Sequence, residues 1–220
     1  MRGGDRACVG GGAAGKRCGL IYLASRSPRR RELLAQIGVR FESLHFREGT
    51  RQDAESSEAV LPGEQPDDYV RRVVRLKADA AWLRLTSRRV MHRKPVLTAD
   101  TTVALAGEIL GKPADRDDAA RMLRLLSGTQ HRVLTAVAVS FEQRVEMAVS
   151  ESLVTFAQLD DARIAAYAQS GEPFDKAGGY GIQGRAGAFV ARLEGSYSGV
   201  MGLPLYETAN LLRLFGVMVP

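Results

Sequence analysis

The stretch Leu20–Leu34, read LIYLASRSPRRRELL, constrains the fold most, because it predicts a strand that turns directly into a helix. Leu20–Ala24 is an apolar run typical of a strand. Ser27 is a favourable N-cap, and Pro28 suits the first helical position, where its missing N–H is no loss. A chain that begins in this way is expected to build strands and helices into one packed unit.

The same turn predicts an anion site. A helix N-terminus offers free N–H groups and a partial positive charge. The three arginines Arg29–Arg31 are unfavourable in the first turn of an isolated helix, but their guanidinium groups match phosphate oxygens. We therefore interpret the turn as a phosphate site; the alternative is a solvated basic helix face.

Strand-like and helix-like segments alternate along the rest of the chain. The predicted strands are 20–24, 41–46, 96–106, 132–141, 144–157 and 188–193, and the predicted helices are 28–37, 66–85, 116–126, 160–169 and 204–215. Two long loops, 47–66 and the glycine-dense 171–187, are typical of binding loops. This order predicts an α/β or α+β domain with a mixed central sheet.

Composition limits the function classes. The net charge of +6 permits a nucleic-acid partner but equally suits a small polyanionic substrate, and the basic residues are spread along the 220 residues. We therefore favour a basic enzyme, and nucleic acid is not the expected partner. Cys8 and Cys18 form no disulfide framework.

The N-terminal segment 1–18 is basic and glycine-rich and lacks the apolar core of a signal peptide. We expect it to be a disordered tail, followed by a single catalytic domain over 19–220. No apolar run is long enough to span a membrane, so we expect a cytoplasmic protein. A homodimer is compatible with the sequence.

Asp100 is the first candidate for chemistry. It lies inside an apolar strand-like run, where an unpaired buried carboxylate is costly. It is therefore interpreted as a metal ligand or a general base; the alternatives are an exposed strand end or a structural hydrogen bond to a turn. Further carboxylates in the loops suit magnesium or manganese: Glu58, Glu64, Glu172 and Asp175. Solvated loop charges are the alternative for each of them.

Histidine and glutamine offer weaker signals. His45, His92 and His131 have no spacing typical of a zinc site, and His131 is expected to form a structural hydrogen bond at the start of a strand. Gln183 lies among glycines, and its amide pairs a donor with an acceptor, as reading a base edge requires.

Seven short motifs follow one another along the chain. They are SRSPRR at 25–30, YVRR at 69–72 with Lys77-Ala78, ADTTV at 99–103, GKP at 111–113, SGTQH at 127–131, EPFDKAG at 172–178 and YGIQG at 180–184. Taken in this order, they resemble the Maf family of nucleoside triphosphate pyrophosphatases. The resemblance covers residues 19–216, which is nearly the whole chain.

This resemblance implies a two-lobed α/β fold, with a twisted mixed sheet flanked by helices and an active-site cleft between the lobes. It also implies a hydrolase of acid anhydrides that uses Mg²⁺ or Mn²⁺ to convert a nucleoside triphosphate to the monophosphate and pyrophosphate. The implied proton acceptor is Asp100, which would share the metal with Glu58. The implied phosphate-binding residues are Ser25, Arg29, Arg30, Lys77 and Lys112.

Substrate choice follows from the same resemblance. Arg29, Thr101 and Gln183 match the specificity positions of the branch that prefers dTTP and UTP, and Glu172, Asp175 and Lys176 are supporting candidates. The sequence departs from the family pattern at Arg26, at Ser57 and in the apparent insertion 47–56. The alternatives are the 7-methyl-GTP branch and a non-catalytic protein that regulates septum formation or binds nucleic acid.

Overall fold

The computed structural model describes residues 19–44, 58–87, 90 and 93–219. The described strands are β1 (Leu20–Leu23), β2 (Arg40–Ser43), β3 (Val96–Leu105), β4 (Glu108–Leu110), β5 (Gln130–Phe141), β6 (Arg144–Phe156) and β7 (Val190–Glu194). The described helices are α1 (Pro28–Gln36), α2 (Pro66–Ser87), α3 (Arg116–Leu126), α4 (Asp161–Gln169), α5 (Tyr197–Met201) and α6 (Leu205–Leu214). Short 3₁₀ turns occupy Glu172–Asp175, Ala177–Gly179 and Arg185–Phe189.

The strands form one mixed sheet in the order β2-β1-β3-β5-β6-β7, and β4 pairs with β3 beside this path. Strand β1 runs parallel to β2 and β3, whereas the other pairs are antiparallel. The predicted α/β fold with a mixed central sheet flanked by helices is therefore confirmed.

Side-chain alternation along β3 divides the core between the two faces of the sheet. The even-numbered Val96 and Ala104 pack under α2. The odd-numbered Leu97 and Ala99 join the core of α1 and α6, whereas Val103 joins the core of α3 and α4. Two separate cores on one face of the sheet correspond to the two predicted lobes.

The edge of β3 is open between these cores. Strand β1 pairs with β3 only at Val96 and Leu97, and β4 pairs with it only from Val103 onwards. Within the described residues, no strand pairs with the intervening edge, which contains Asp100 and Thr101. A cleft at this edge is therefore accessible to side chains from both faces of the sheet.

Several predicted boundaries differ from the structure. Strand β2 begins and ends earlier than expected, at Arg40 and Ser43; of the predicted extension, positions 45 and 46 lie outside the described residues. Strand β7 begins at Val190, because Arg185–Phe189 forms a 3₁₀ turn. The short helix α5 was not predicted, because its Ser- and Gly-containing sequence has no helical periodicity; Ser196 caps it by accepting a hydrogen bond from the Gly199 N–H at 3.0 Å.

The cap of α1 is also different. Ser27 stands at the N-cap position, but its side chain makes no capping hydrogen bond, so this detail of the prediction is wrong. The Ser25 hydroxyl instead accepts a hydrogen bond from the Ser27 N–H at 3.2 Å. The predicted glycine at the end of the helix is confirmed, since Gly38 has φ of 70° and donates to the Ala35 carbonyl.

The predicted tail 1–18 and insertion 47–56 lie outside the described residues, as do Ser57, His45 and His92. Among the helices that the structure describes, none is both long and apolar enough to cross a membrane.

Candidate active site

A cleft of about 840 Å³ opens beside the unpaired edge of β3. It is bounded by the start of α1, by one face of α2 and by the glycine-rich segment that follows α4. Of the residues predicted from the sequence, it is lined by Ser25, Arg29, Arg30, Glu58, Lys77, Asp100, Thr101, Lys112, Asp175, Lys176 and Gln183. The structure thus brings together side chains from most of the described length of the chain.

Lys77 lies between two carboxylates. Its Nζ is 2.6 Å from Asp100 Oδ1 and 2.7 Å from Glu58 Oε1, and Asp100 is only 8% exposed. Burial alone would lower the pKa of Lys77, but the charges of Asp100 and Glu58 outweigh it and raise that pKa. Burial also works against the charge of Glu58, yet Lys77 holds the pKa of this carboxyl below its usual value. An ammonium group therefore bridges Glu58 and Asp100 at neutral pH.

Arg30 is held by neutral oxygens. Its guanidinium donates to the Gly202 carbonyl at 2.7 Å, to Thr101 Oγ1 at 3.1 Å and to Ser25 Oγ at 3.3 Å. Burial lowers the pKa of Arg30, but an arginine remains protonated. None of the salt bridges between described residues includes Arg30. A partly buried guanidinium without a carboxylate partner is costly, and a bound anion would offset that cost.

Arg29 forms a bridge across the mouth of the cleft. Its Nη1 lies 3.2 Å from Asp175 Oδ2, and the other Asp175 oxygen accepts a hydrogen bond from Lys176. Partial burial opposes the charge of Asp175, but Lys176 and Arg29 lower the pKa of this carboxyl. Since Arg29 belongs to α1 and Asp175 to the glycine-rich segment, the bridge joins the two sides of the cleft.

The glycine-rich segment is anchored to the loop that carries Lys112. The Gly178 N–H donates to the Gly111 carbonyl at 2.9 Å. Gly178 has φ of 67°, and a Cβ there would lie 2.9 Å from a methyl group of Val103. Only glycine fits this position without strain. Lys112 and the segment with Gln183 therefore keep a fixed relation to β3.

Two predicted carboxylates have structural partners. Glu64 accepts two hydrogen bonds from Arg72, at 2.5 and 2.7 Å. Glu172 is not among the residues that line the cleft; its carboxylate accepts hydrogen bonds from the Tyr167 hydroxyl at 3.1 Å and from the Arg185 N–H at 3.3 Å. Neither residue shares the position of Glu58 and Asp100.

The sequence did not reveal two walls of the cleft. One is an apolar stripe on α2, formed by Leu76, Ala80 and Leu83. Their spacing of four and three residues places them on one helix face, and this pattern could have indicated the wall from the sequence. The other is Tyr180, whose hydroxyl lies 2.7 Å from Nε2 of the buried His131. The expectation that His131 forms a structural hydrogen bond at the start of a strand is confirmed.

The candidate ligands for the predicted divalent cation are Glu58 and Asp100. Each carboxylate contacts the Lys77 ammonium through one oxygen and would offer its second oxygen as a hard ligand. The described residues contain no cluster of three His, Cys, Asp or Glu side chains suited to a metal ion. Mg²⁺ and Mn²⁺ suit such a site, because one or two carboxylates together with substrate phosphates complete their coordination.

Comparison with known proteins identifies the family. Residues 20–215 match the family model described as Maf-like protein. A dTTP/UTP pyrophosphatase of Ralstonia nicotianae is 64% identical over 193 residues, which cover 87% of this chain and 92% of the relative. Relatives with the same name from Cupriavidus pinatubonensis and Dechloromonas aromatica are 60% and 56% identical; they cover 88% and 89% of this chain and 95% and 97% of their own lengths. The chain therefore belongs to the Maf family.

Proposed function

We propose that this protein hydrolyses dTTP and UTP to the nucleoside monophosphate and pyrophosphate. The observation that carries the proposal is the cleft itself. Its lining includes seven cationic side chains and three carboxylates, namely Arg26, Arg29, Arg30, Lys77, Arg84, Lys112 and Lys176 with Glu58, Asp100 and Asp175. The names of the relatives, all dTTP/UTP pyrophosphatases, supply the substrate class. A basic cleft that also contains carboxylates suits a polyanionic substrate that must be held and hydrolysed.

The triphosphate would bind along the basic wall. Arg29 and Arg30 present planar guanidinium groups that match phosphate oxygens, and Lys77 and Lys112 add compact ammonium charges. Charge-assisted hydrogen bonds of this kind each contribute about 1.5–3 kcal/mol. Ser25 supports Arg30 through its hydroxyl, which lies 3.3 Å from Nη1.

Asp100 would act on the attacking water. Its carboxylate orients the water and accepts the proton as the oxygen forms a bond to the α-phosphorus. The bond between the α-phosphorus and the bridging oxygen then breaks, and pyrophosphate leaves with that oxygen. Lys77 holds Asp100 in place through the 2.6 Å contact. Bound at Glu58 and Asp100, Mg²⁺ or Mn²⁺ would supply neutralisation of phosphate charge.

Base selection would rest on Gln183. Its amide offers one acceptor and one donor, which complement the N3–H and O4 of thymine or uracil. The Thr101 hydroxyl is already hydrogen-bonded to Arg30 at 3.1 Å and to the Thr135 hydroxyl at 2.9 Å. Thr101 would therefore shape the pocket and orient Arg30 rather than contact the base through its hydroxyl.

A substrate panel tests the proposal. The full-length protein is supplied with dTTP, UTP, CTP, GTP and 7-methyl-GTP, and pyrophosphate release is followed through a coupled inorganic pyrophosphatase. We expect dTTP and UTP to give the highest kcat/KM, and we expect activity to stop with a chelator and return with Mg²⁺ or Mn²⁺. Preference for 7-methyl-GTP would overturn the substrate assignment. Absence of any turnover, together with salt-sensitive binding of nucleic acid, would favour a binding protein instead.

A further inference from the structure

Two residues behind the cleft are tied to the turn that carries Gln183. We propose that Tyr167 and Glu172 are positioning residues that hold this turn in register and so set the preference for a uracil or thymine edge. The proposal rests on the proposed function, because it assumes that Gln183 reads the base. It gives Glu172 a role in base selection, although its side chain is not part of the cleft wall.

The turn spans Gly181 to Gly184. The Gly184 N–H donates to the Gly181 carbonyl at 3.0 Å, so Ile182 and Gln183 occupy its centre. Ile182 is buried, and Gln183 is exposed toward the cleft. The buried neighbour fixes one side of the turn, and the position of the Gln183 backbone, from which the amide extends, then depends on what holds the two ends.

Each end of the turn is bonded to one of two neighbouring side chains. The Gly181 N–H donates to the Tyr167 hydroxyl oxygen at 3.3 Å, and the Arg185 N–H donates to Glu172 Oε2 at 3.3 Å. The Tyr167 O–H in turn donates to Glu172 Oε1 at 3.1 Å. These three hydrogen bonds close a ring from Gly181 through Tyr167 and Glu172 to Arg185, which we call the Tyr167–Glu172 brace.

Packing leaves little room for the brace to shift. A Cβ on Gly184 would lie only 2.0 Å from Glu172 Oε1, so the carboxylate rests directly against the backbone of the turn. Tyr167 is 3% exposed and packs edge-on against Phe189, with ring centroids 5.2 Å apart. Burial and the charge of Glu172 raise the pKa of Tyr167, so its hydroxyl stays protonated and remains a donor.

The brace matters because edge recognition depends on geometry. Uracil and cytosine share one ring and differ in the donor and acceptor at two neighbouring positions. An amide separates them only if it is held in one orientation, and displacement of a functional group by about 1 Å can remove much of its effect. Loosening the turn should therefore reduce discrimination between UTP and CTP rather than abolish hydrolysis.

The test uses Tyr167→Phe and Glu172→Gln in the full-length protein. Tyr167→Phe removes the hydroxyl that forms two of the three hydrogen bonds, and Glu172→Gln replaces one accepting oxygen with an amide nitrogen that cannot accept. Tyr22→Phe serves as a control that truncates another buried tyrosine, on β1 and outside the cleft lining. We expect the ratio of kcat/KM for UTP to that for CTP to fall by about 3- to 10-fold in both brace variants and to stay unchanged in the control. If Tyr167→Phe does not fold, Glu172→Gln alone decides, because Glu172 is only partly buried.

A second comparison asks whether the brace acts through Gln183. In a Gln183→Ala background, Glu172→Gln should cause no further change in the UTP-to-CTP ratio, because residues that act as a unit are not additive. An equal loss with both substrates, or a further fall in that background, would overturn the brace while leaving the proposed function intact. A wild-type enzyme without preference for UTP over CTP would refute the proposed base selection and the brace with it.

Discussion

His131 provides a direct test of how the core next to the cleft responds to pH. The side chain is 2% exposed, its Nε2 lies 2.7 Å from the Tyr180 hydroxyl, and within the described residues its Nδ1 has no hydrogen-bond partner. The rings of Phe156 and Tyr180 pack edge-on against it, with centroids 5.1 and 5.4 Å away. Burial lowers the pKa of His131 from its ordinary 6.5 to about 4.

The sign and size of the effect follow from linkage. As the pH falls below 6.5, the unfolded chain takes up a proton at His131 that the folded protein does not, so stability falls. The loss continues until the pH reaches the folded pKa of about 4 and then levels off. At about 1.4 kcal/mol for each pH unit, His131 should contribute a loss of about 3 kcal/mol, a large part of the ~5–15 kcal/mol typical of a domain.

The assay is urea unfolding of the wild type and of His131→Gln, measured from neutral pH down to about pH 4. Glutamine cannot titrate in this range but keeps a group that can bond Tyr180. Carboxylates titrate in both proteins, so the difference between the two curves isolates the histidine. We expect the free energy of unfolding to depend less steeply on pH in the variant. Parallel curves would refute the assignment of His131 as a buried neutral side chain.

Three further predictions concern the cleft. Asp100→Asn should lower turnover by about 100-fold or more in a protein that still folds, and near-normal turnover would show that Asp100 is structural. Gln183→Glu should lower kcat/KM for dTTP and UTP by about 10- to 100-fold, with a smaller loss for GTP, because the added carboxylate faces an acceptor oxygen of the pyrimidine. Equal losses across all nucleotides would place Gln183 outside base recognition. Asp175→Asn should lower KM by about 2- to 5-fold at low salt, since it removes a carboxylate that competes with phosphate for Arg29, and the effect should fade as salt is added. An increase in KM would instead show that Asp175 supports substrate binding.

The sequence by itself determined most of the elements, because their signals are local. Pro28 and the adjoining arginines predicted a helix start with an anion site, and Gly38 ended that helix as expected. Asp100 was recognisable because a carboxylate is unfavourable inside an apolar strand. Each of these features depends on backbone conformation or side-chain chemistry within a few residues, which a single sequence displays.

The tertiary structure decided how these residues meet. Glu58, Lys77 and Asp100 converge because α2 packs on the even-numbered face of β3 and Glu58 lies just ahead of that helix. Asp100 and Thr101 reach one cleft because two strands leave a gap along the edge of β3. Pairings of this kind join residues far apart in the chain, and no local pattern specifies them.

The same reason explains the details that the sequence did not reveal. Glu172 was recognised as a carboxylate in a glycine-rich loop, but its partner Tyr167 belongs to α4 and the turn it holds lies further along the chain. Ser27 satisfied the rule for an N-cap, yet its side chain makes no capping hydrogen bond, and Ser25 bonds both the Ser27 N–H and Arg30. Local sequence patterns are therefore sufficient to identify the candidate residues, whereas the partner of each polar group depends on how distant segments pack together.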